Sequence, residues 1–327
     1  MTTVGIIVNP SAGKDIRRLV AYGRVVSNDE KVNIVRRVLL GLDAAGVSDV
    51  VIMPDSSALG QRALDGINLS LKVDLLDMPV FGAEVDSARA AGLMAEMGVA
   101  CLVTLGGDGT NRAVAKGCDQ VPLIPISTGT NNVFPSMIEG TIAGLAAAIV
   151  ARGLVDLDKV VLTSKRLEIY LDGQFQDVAL VDVAVSKERF VAARAIWDVH
   201  TLHEVFLTRA EPTSIGLSSI GAQLHLISMT EGRGLYFQLG PGRSMVLATV
   251  APGMVRPVAI EEWRLLPPGE RVEVVHRPCT IALDGEREIS ILPHQRAEVM
   301  LSSHGPRVVE VAAALREAAR QGVFVMK

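Results

Sequence analysis

The sequence predicts an α/β domain with an open, mostly parallel, Rossmann-like sheet, followed by an antiparallel β-sandwich domain. Three observations predict this class. Apolar strand-like runs alternate with helix-period segments over residues 1–152, as in consecutive βαβ units. After that point, short β-rich runs separated by turn residues dominate. The length of 327 residues also exceeds what one average hydrophobic core supports.

The strands of the first domain are predicted from apolar runs that stop at turn residues. Residues 4–8 are continuously apolar and end at Asn9-Pro10, as expected of a parallel strand buried on both faces. Residues 50–53 stop in the same way at Pro54. The predicted strands are 4–8, 50–53, 73–78, 100–105 and 123–126.

The intervening helices are predicted from apolar residues that recur at helical spacing. In the segment 30–45, Val35, Val38 and Leu42 share one face, whereas Arg36 points outward. The segment 83–97 is rich in alanine and ends at a glycine, a common residue just past a helix. The predicted helices are 30–45, 57–67, 83–97, 110–118 and 141–151.

The second domain, residues 153–304, is predicted from short β-rich runs that turn signals separate. The predicted strands are 159–163, 166–171, 178–185, 223–229, 235–239, 245–250, 271–276, 280–284 and 297–301. One helix, at 187–207, is predicted to interrupt them. Residues 305–327 are predicted to return to the first domain as a helix or strand. Its predicted apolar face contains Val308, Val311, Ala312, Leu315 and Ala319.

The composition excludes several function classes. A net charge of −4 and an aromatic content of 4% do not suit a nucleic-acid surface, which needs basic groups and stacking platforms. The three cysteines are far apart, which predicts free thiols in a reducing compartment. The longest apolar stretch, 142–150, is shorter than the roughly 18–20 residues of a spanning helix. We therefore expect a cytoplasmic protein without a stable membrane anchor.

Polar loops follow three of the predicted parallel strands, at 9–14, 106–110 and 127–132. All three are rich in Gly, Ser, Thr or Asn. Ligands of open α/β sheets bind beyond the carboxyl ends of the strands, where such loops lead into helices. The sequence therefore predicts that the three loops converge on one ligand.

The loop Gly106-Gly107-Asp108-Gly109-Thr110 carries the clearest chemistry. Glycines between a strand and a helix let backbone N–H groups approach phosphate oxygens at the helix N-terminus. A carboxylate beside phosphates acts through Mg²⁺ or accepts a proton from an attacking hydroxyl group. Read as structure only, the loop is a tight turn in which Asp108 is the helix N-cap.

The loop also carries a resemblance to a superfamily of kinases. GGDGT at 106–110 is similar to the signature that NAD kinases share with diacylglycerol kinases, sphingosine kinases and phosphofructokinases. NPSAGK at 9–14, STGTNN at 127–132 and DGE at 284–286 resemble further elements of the superfamily, in matching order. The strings NPSAGKDIRR, SIGLSSIG and APGM are similar to the ATP-NAD kinase-like group, which includes AcoX-type proteins of acetoin catabolism.

The resemblance implies transfer of a phosphoryl group from ATP, with Mg²⁺, to a hydroxyl group, which in an NAD kinase belongs to NAD. It implies that Asp108 and Glu286 are catalytic and that Asp108 also contacts Mg²⁺. The residues implied to contact ATP are Asn9, Ser11, Gly13, Lys14, Gly106, Gly107, Gly109, Thr110, Thr128, Gly129, Thr130 and Asn131. Those implied to contact the acceptor are Asn132, Asp182 and Asp284.

Several alternatives stay open. NAD kinases carry an Asn-Glu pair in the second domain, whereas the comparable strand here reads ALVDV at 179–183. The 127–132 element is closer to lipid kinases. An NAD kinase-like enzyme is the leading hypothesis, and a diacylglycerol-type lipid kinase or a non-catalytic nucleotide-binding regulator are its rivals. Read alone, 284–286 is a hairpin turn, and Asp182 faces either the cleft or outward. The donor is ATP or polyphosphate, and the resemblance implies a homodimer or homotetramer.

Overall fold

A computed structural model describes residues 2–13, 22–24, 26–129, 131–187 and 199–325. The α-helices in this part of the chain are α1 (Asn28–Ala44), α2 (Leu59–Leu64), α3 (Glu84–Glu96), α4 (Asp108–Ala115), α5 (Gly140–Ala151), α6 (Leu217–Ala222) and α7 (Val311–Arg320). The strands up to residue 207 are β1 (Thr3–Val8), β2 (Asp49–Ile52), β3 (Lys72–Leu75), β4 (Cys101–Gly106), β5 (Leu123–Ser127), β6 (Val161–Thr163), β7 (Arg166–Leu171), β8 (Gln174–Ala179), β9 (Asp182–Ser186) and β10 (Leu202–Leu207). The later strands are β11 (Gly234–Ala251), β12 (Met254–Leu266), β13 (Arg271–Glu273), β14 (Cys279–Leu283), β15 (Glu286–Ile291), β16 (Ala297–Ser302) and β17 (Arg307–Val309).

The first sheet has the order β3-β2-β1-β4-β5-β17-β6 in the described residues. Its strands β1 to β5 are parallel, and β6 alone is paired antiparallel, to β17. The predicted open and mostly parallel sheet is confirmed. Val8 pairs with Leu105, and Gly106 pairs with Ser127, so β1, β4 and β5 end at the same edge. The loops that follow these strands therefore meet.

Helices cover the sheet on both faces. On one face, α1 buries Val35, Val38 and Leu42, the residues that the helical periodicity predicts. The helix packs closely on α5, because a Cβ atom on Gly144 would lie 2.3 Å from the carbonyl oxygen of Val38. On the other face, α3 contributes Ala90, Ala91 and Met94 to a second core, which extends into the sheet. None of the described helices is both long and apolar enough to cross a membrane.

The remaining strands form two antiparallel sheets, with the orders β12-β11-β10-β9-β14-β15 and β13-β16-β7-β8. Their shared core contains Ile169 and Val299 from the smaller sheet and Val183, Val185 and Ile281 from the larger one. Each of these side chains is almost completely buried, so the two sheets pack face to face as a sandwich. The predicted antiparallel architecture after the first domain is confirmed.

The prediction of a helix at 187–207 is wrong over its described end, where Leu202–Leu207 forms β10. Residues 188–198 lie outside the described part of the chain. The strand β10 is central, between β9 and β11, and five of its six residues are buried. A strand buried on both faces loses its period of two, and therefore cannot be distinguished from a helix by pattern alone.

Two other strand predictions differ from the structure. Residues 223–229 form no strand, because Gln223 ends α6 and the segment makes only an isolated bridge between Ala210 and Ile227. The predicted strands 235–239 and 245–250 form one strand, β11. The Gly240-Pro241-Gly242 segment between them is taken up as an irregularity in the pairing with β12, where both Leu239 and Ser244 oppose Ile260. A Gly-Pro-Gly sequence usually indicates a turn, which explains the error.

The C-terminal helix α7 buries part of the face that the sequence predicts, because Val311 and Leu315 pack against the core as expected. Ala314 and Ala318 are fully buried against the core beneath the first sheet, whereas Ala312 and Ala319 are exposed. Val308 precedes the helix and lies in β17. Because alanine populates buried and exposed helix faces alike, the pattern did not distinguish between them.

Candidate functional site

A cleft with a volume of about 410 Å³ lies at the carboxyl ends of β1 and β4, bordered by the β14–β15 turn. The predicted site residues that line it are Asn9, Ser11, Gly13, Gly107, Asp108, Gly109, Thr110, Gly129, Asn131, Asn132, Asp284 and Glu286. Gly106, Thr128 and Asp182 do not line it. Lys14 and Thr130 lie outside the described residues. The three loops and the turn thus border one cavity.

The loop after β4 leads directly into α4, which begins at Asp108 with Gly107 as its N-cap. The first backbone N–H groups of a helix have no acceptor within the helix. Here these are the N–H groups of residues 108–110, and all three residues line the cleft. A Cβ atom on Gly106 would lie 2.4 Å from the Cβ atom of Thr110, so only glycine fits beneath that side chain. Gly106 therefore allows β4 to turn tightly into α4, whose first residues line the cleft.

Asp108 joins this loop to the one after β5. Its carboxylate accepts hydrogen bonds from the backbone N–H of Val133, at 3.0 Å, and of Phe134, at 2.7 Å. The Asp108 residue is only 8% exposed, although it borders the cleft. The carboxylate therefore fixes the position of the 131–134 segment.

The loop after β1 is tied to α4 through Asn9. The side-chain Nδ2 atom of Asn9 donates to the hydroxyl oxygen of Thr110 at 2.8 Å. The side-chain Oδ1 atom of Asn9 accepts a hydrogen bond from the Ser11 N–H at 2.8 Å. Gly13 has a φ of +77°, and a Cβ atom there would lie 2.8 Å from the carbonyl oxygen of Thr128. The loops after β1, β4 and β5 are therefore in contact with one another.

The loop after β5 is held by polar side chains of its own. Asn132 donates from Nδ2 to the hydroxyl oxygen of Ser127 at 2.8 Å, and that hydroxyl group donates to the carbonyl oxygen of Gly129 at 2.9 Å. The Oδ1 atom of Asn132 would lie 2.8 Å from a Cβ atom on Gly107. Thr128 is fully buried, which places it behind the cleft wall.

The turn between β14 and β15 brings one carboxylate to the cleft and buries another. Asp284 accepts hydrogen bonds from the N–H groups of Leu180 at 3.0 Å and Val181 at 2.8 Å. Burial raises the pKa of Asp284, while Arg112 and the amides act in the opposite direction. Glu286 is half-buried, and its Oε1 atom would lie 3.6 Å from a Cβ atom on Gly109. Glu286 therefore faces the start of α4.

Asp182 lies beside Asp284 rather than in the cleft. Its residue is 8% exposed, its N–H donates to the Asp284 carboxylate at 3.3 Å, and its carbonyl oxygen accepts from the Asp284 N–H at 2.9 Å. The backbone contacts of Asp182 thus help to shape the turn that carries Glu286.

Two buried arginines at the site escaped the sequence analysis. Arg112 is 1% exposed in its side chain and lies 3.2 Å from Glu84, 3.4 Å from Asp177 and 3.9 Å from Asp284. Arg209 is 5% exposed, and its guanidinium carbon lies 5.4 Å from the centre of the Phe134 ring. Burial lowers the pKa of Arg209. The available signal for Arg209 was its position two residues after the apolar run Val205-Phe206-Leu207.

Comparison with known proteins gives two family matches and a full-length relative. Residues 4–154 match the family model of the ATP-NAD kinase N-terminal domain. Residues 165–304 match the family model of the acetoin catabolism protein X C-terminal domain. Acetoin catabolism protein X of Cupriavidus necator is 40% identical over 333 aligned positions, which cover 97% of this chain and 92% of the relative.

Proposed function

This chain belongs to the acetoin catabolism protein X family, and we propose that it is an ATP-dependent phosphotransferase whose acceptor is a hydroxyl group of NAD. The match of residues 4–154 to the ATP-NAD kinase N-terminal domain supports a kinase-type function. The observation that carries the proposal is the convergence of three polar loops and Glu286 on one cleft. The cavity volume of about 410 Å³ is within the range of small-molecule sites.

Phosphoryl transfer needs positioning and charge neutralisation more than covalent chemistry from the protein. The amides at the start of α4 and the loop after β1 would hold the phosphate oxygens of ATP. The hydrogen bond between Asn9 and Thr110 supports this role, because it fixes the two loops relative to each other. Preorganised donors of this kind stabilise developing negative charge without having to reorient.

Mg²⁺ fits the carboxylates that border the cleft. Among the described residues, no group of three or more His, Cys, Asp or Glu side chains is arranged to hold a metal ion. Mg²⁺ does not require such a group, because it binds through one or two carboxylates together with substrate phosphates. Asp108 is the carboxylate that would hold it together with the phosphates, and the ion would neutralise charge on the phosphates.

We assign the role of general base to Glu286 and a positioning role to Asp108. Glu286 faces the start of α4 from the second domain, so an acceptor hydroxyl group between them could transfer its proton to the carboxylate. The Asp108 carboxylate is engaged with the amides of Val133 and Phe134, which favours orientation of the loops over proton transfer.

The test is phosphoryl transfer from γ-labelled ATP with Mg²⁺, screened against NAD, NADH, diacylglycerol and sphingoid bases. Labelled NADP is the expected product. Glu286→Gln is expected to lower kcat by about 10²–10⁴-fold, as is typical for loss of a general base. The exposed residue Glu96 provides the control, because Glu96→Gln changes a carboxylate outside the cleft. Transfer of the label to a lipid but not to NAD would show that the acceptor is a lipid and not NAD. Unchanged turnover in Glu286→Gln would show that Glu286 is not the general base.

A second candidate function is a nucleotide-binding regulator without phosphotransferase activity. Two observations favour it: the engaged carboxylate of Asp108, and a second domain that matches acetoin catabolism protein X. ATP binding without transfer to any of the screened acceptors would support this function over the enzyme.

A further inference from the structure

Lys31 is a buried cation in the first turn of α1. The residue is 0% exposed, whereas lysines on helix surfaces are ordinarily solvated. It lies on the apolar face of the helix, four residues before Val35 and seven before Val38, which are also fully buried. A buried ammonium group at such a position requires several hydrogen-bond acceptors nearby.

The acceptors are backbone carbonyl oxygens of the loop after β1. The Nζ atom of Lys31 donates to the carbonyl oxygens of Asn9 at 3.0 Å, Pro10 at 3.1 Å and Ala12 at 2.9 Å. Carbonyl oxygens are suitable acceptors for the N–H bonds of an ammonium group. One side chain therefore gathers three of the five backbone carbonyl groups of residues 9–13 on the side that faces α1.

The arrangement has an electrostatic consequence for the cleft. Carbonyl oxygens carry partial negative charge, so a loop that presented them to the cleft would repel phosphate. Lys31 turns three of them inward and adds a fixed positive charge behind the loop. This charge matters because the described side chains of the cleft include the carboxylates of Asp55, Asp86, Asp108 and Glu286.

We propose that Lys31 is the positioning residue of the phosphate-binding loop 9–13, and that its ammonium group sets the affinity of the cleft for the polyphosphate part of a nucleotide. The proposal rests on the proposed function, in which this loop holds phosphate oxygens. Lys31 itself lies behind the loop and does not line the cleft, so it acts through the backbone.

The test compares the binding of ATP, AMP and inorganic tripolyphosphate by calorimetry. In Lys31→Met, the Kd values for ATP and tripolyphosphate are expected to rise about tenfold or more, whereas the Kd for AMP changes much less. If the role of Lys31 were purely structural, its replacement would raise the Kd values of all three ligands by a similar factor or would change none of them. In the transfer assay, the same variant is expected to raise KM for ATP while leaving kcat nearly unchanged.

Lys165→Met is the matched control. Lys165 is also buried, at 5% exposure, and donates to the carbonyl oxygens of Ser228 at 3.0 Å and Arg233 at 2.7 Å, which do not line the cleft. Its replacement removes a buried lysine of the same kind and is expected to leave the ATP-to-AMP affinity ratio at the wild-type value. An equal fall of that ratio in both variants would overturn the proposal.

Lys31→Arg decides the matter if Lys31→Met does not fold. A planar guanidinium keeps the charge but cannot reproduce the donor geometry of an ammonium group. Weaker tripolyphosphate binding than wild type supports the positioning role, and unchanged binding overturns it. Failure of the wild-type protein to bind either ATP or tripolyphosphate would instead contradict the proposed function.

Discussion

The carboxylate of Asp108, in the loop after β4, holds the loop after β5 in place through hydrogen bonds. It accepts the N–H groups of Val133 and Phe134, and the Phe134 residue is 4% exposed. We predict that Asp108→Ala lowers the free energy of unfolding by about 2–4 kcal/mol, because buried amides lose a charged acceptor. Urea denaturation measures this loss. Asp108→Asn, which keeps one carbonyl oxygen, is expected to lose about half as much, and wild-type stability in Asp108→Ala would contradict the anchoring role.

At the same scale, the sequence indicates which loops form the cleft but not where their side chains point. A Cβ atom on Gly106 would collide with the side chain of Thr110, and one on Gly107 with that of Asn132, so the need for glycine at these two positions could be read from composition and position. The hydrogen bonds of Asp108 could not, since they join residues 25 or 26 positions apart through the tertiary register. Lys31 was detectable in principle, because its spacing from Val35 and Val38 places it on the buried face of α1.

At the scale of elements, the contact between α1 and α5 depends on glycine. A Cβ atom on Gly144 would lie 2.3 Å from the carbonyl oxygen of Val38 and 3.1 Å from the Cα atom of Gly41. We predict that Gly144→Ala destabilises the protein by about 1–3 kcal/mol, since backbone atoms cannot move aside as side chains do. The matched control is Gly92→Ala in α3, where a Cβ atom meets nothing within 4 Å.

Gly92→Ala is expected to raise stability by about 0.5–1 kcal/mol, because alanine is the better helix former. Thermal unfolding of the two variants side by side checks both signs. Stabilisation by Gly144→Ala as well would mean that the two helices are not in backbone contact.

The elements of the first domain were predicted better than those of the second for a physical reason. In βαβ units, each helix and each strand is a separate run with its own period, and turn residues divide them. In the second domain, β10 is buried on both faces and β11 runs through a Gly-Pro-Gly segment. Both of these features depend on strand partners that are far away in the sequence, so local pattern could not reveal them.

At the scale of the whole molecule, Arg112 links the two halves of the structure. It lies on α4 beside the first sheet, and its partners Asp177 and Asp284 belong to the sandwich. Glu84 and Lys116 complete the cluster, with Lys116 lying 2.8 Å from Asp177 and 3.4 Å from Glu84. Asp284 has a fully buried side chain, so it depends on Arg112 far more than the partly exposed Glu84 and Asp177 do.

We predict that Arg112→Met destabilises the protein by about 3–5 kcal/mol at pH 7, as expected when a buried ion pair loses one partner. Burial already raises the pKa of Asp284, and removal of Arg112 takes away the charge that opposes this shift. The folded variant therefore binds a proton at Asp284 more tightly than the unfolded chain does. The penalty relative to the wild-type protein is full above the folded-state pKa of Asp284 in the variant, and it shrinks as the pH falls toward the lower folded-state pKa of Asp284 in the wild-type protein.

Urea denaturation at pH 7 and pH 5 measures this convergence between the wild-type protein and Arg112→Met. Arg36→Met is the control, because Arg36 donates to the backbone carbonyl oxygens of Arg62, Ala63 and Asp65, which do not titrate. Its stability loss should therefore be the same at both pH values. A loss in Arg112→Met that is equally independent of pH would show that the link between the two halves is packing of the arginine stem rather than its charge on Asp284. In that case the position of Glu286, two residues further along the same turn, would not depend on an ion pair.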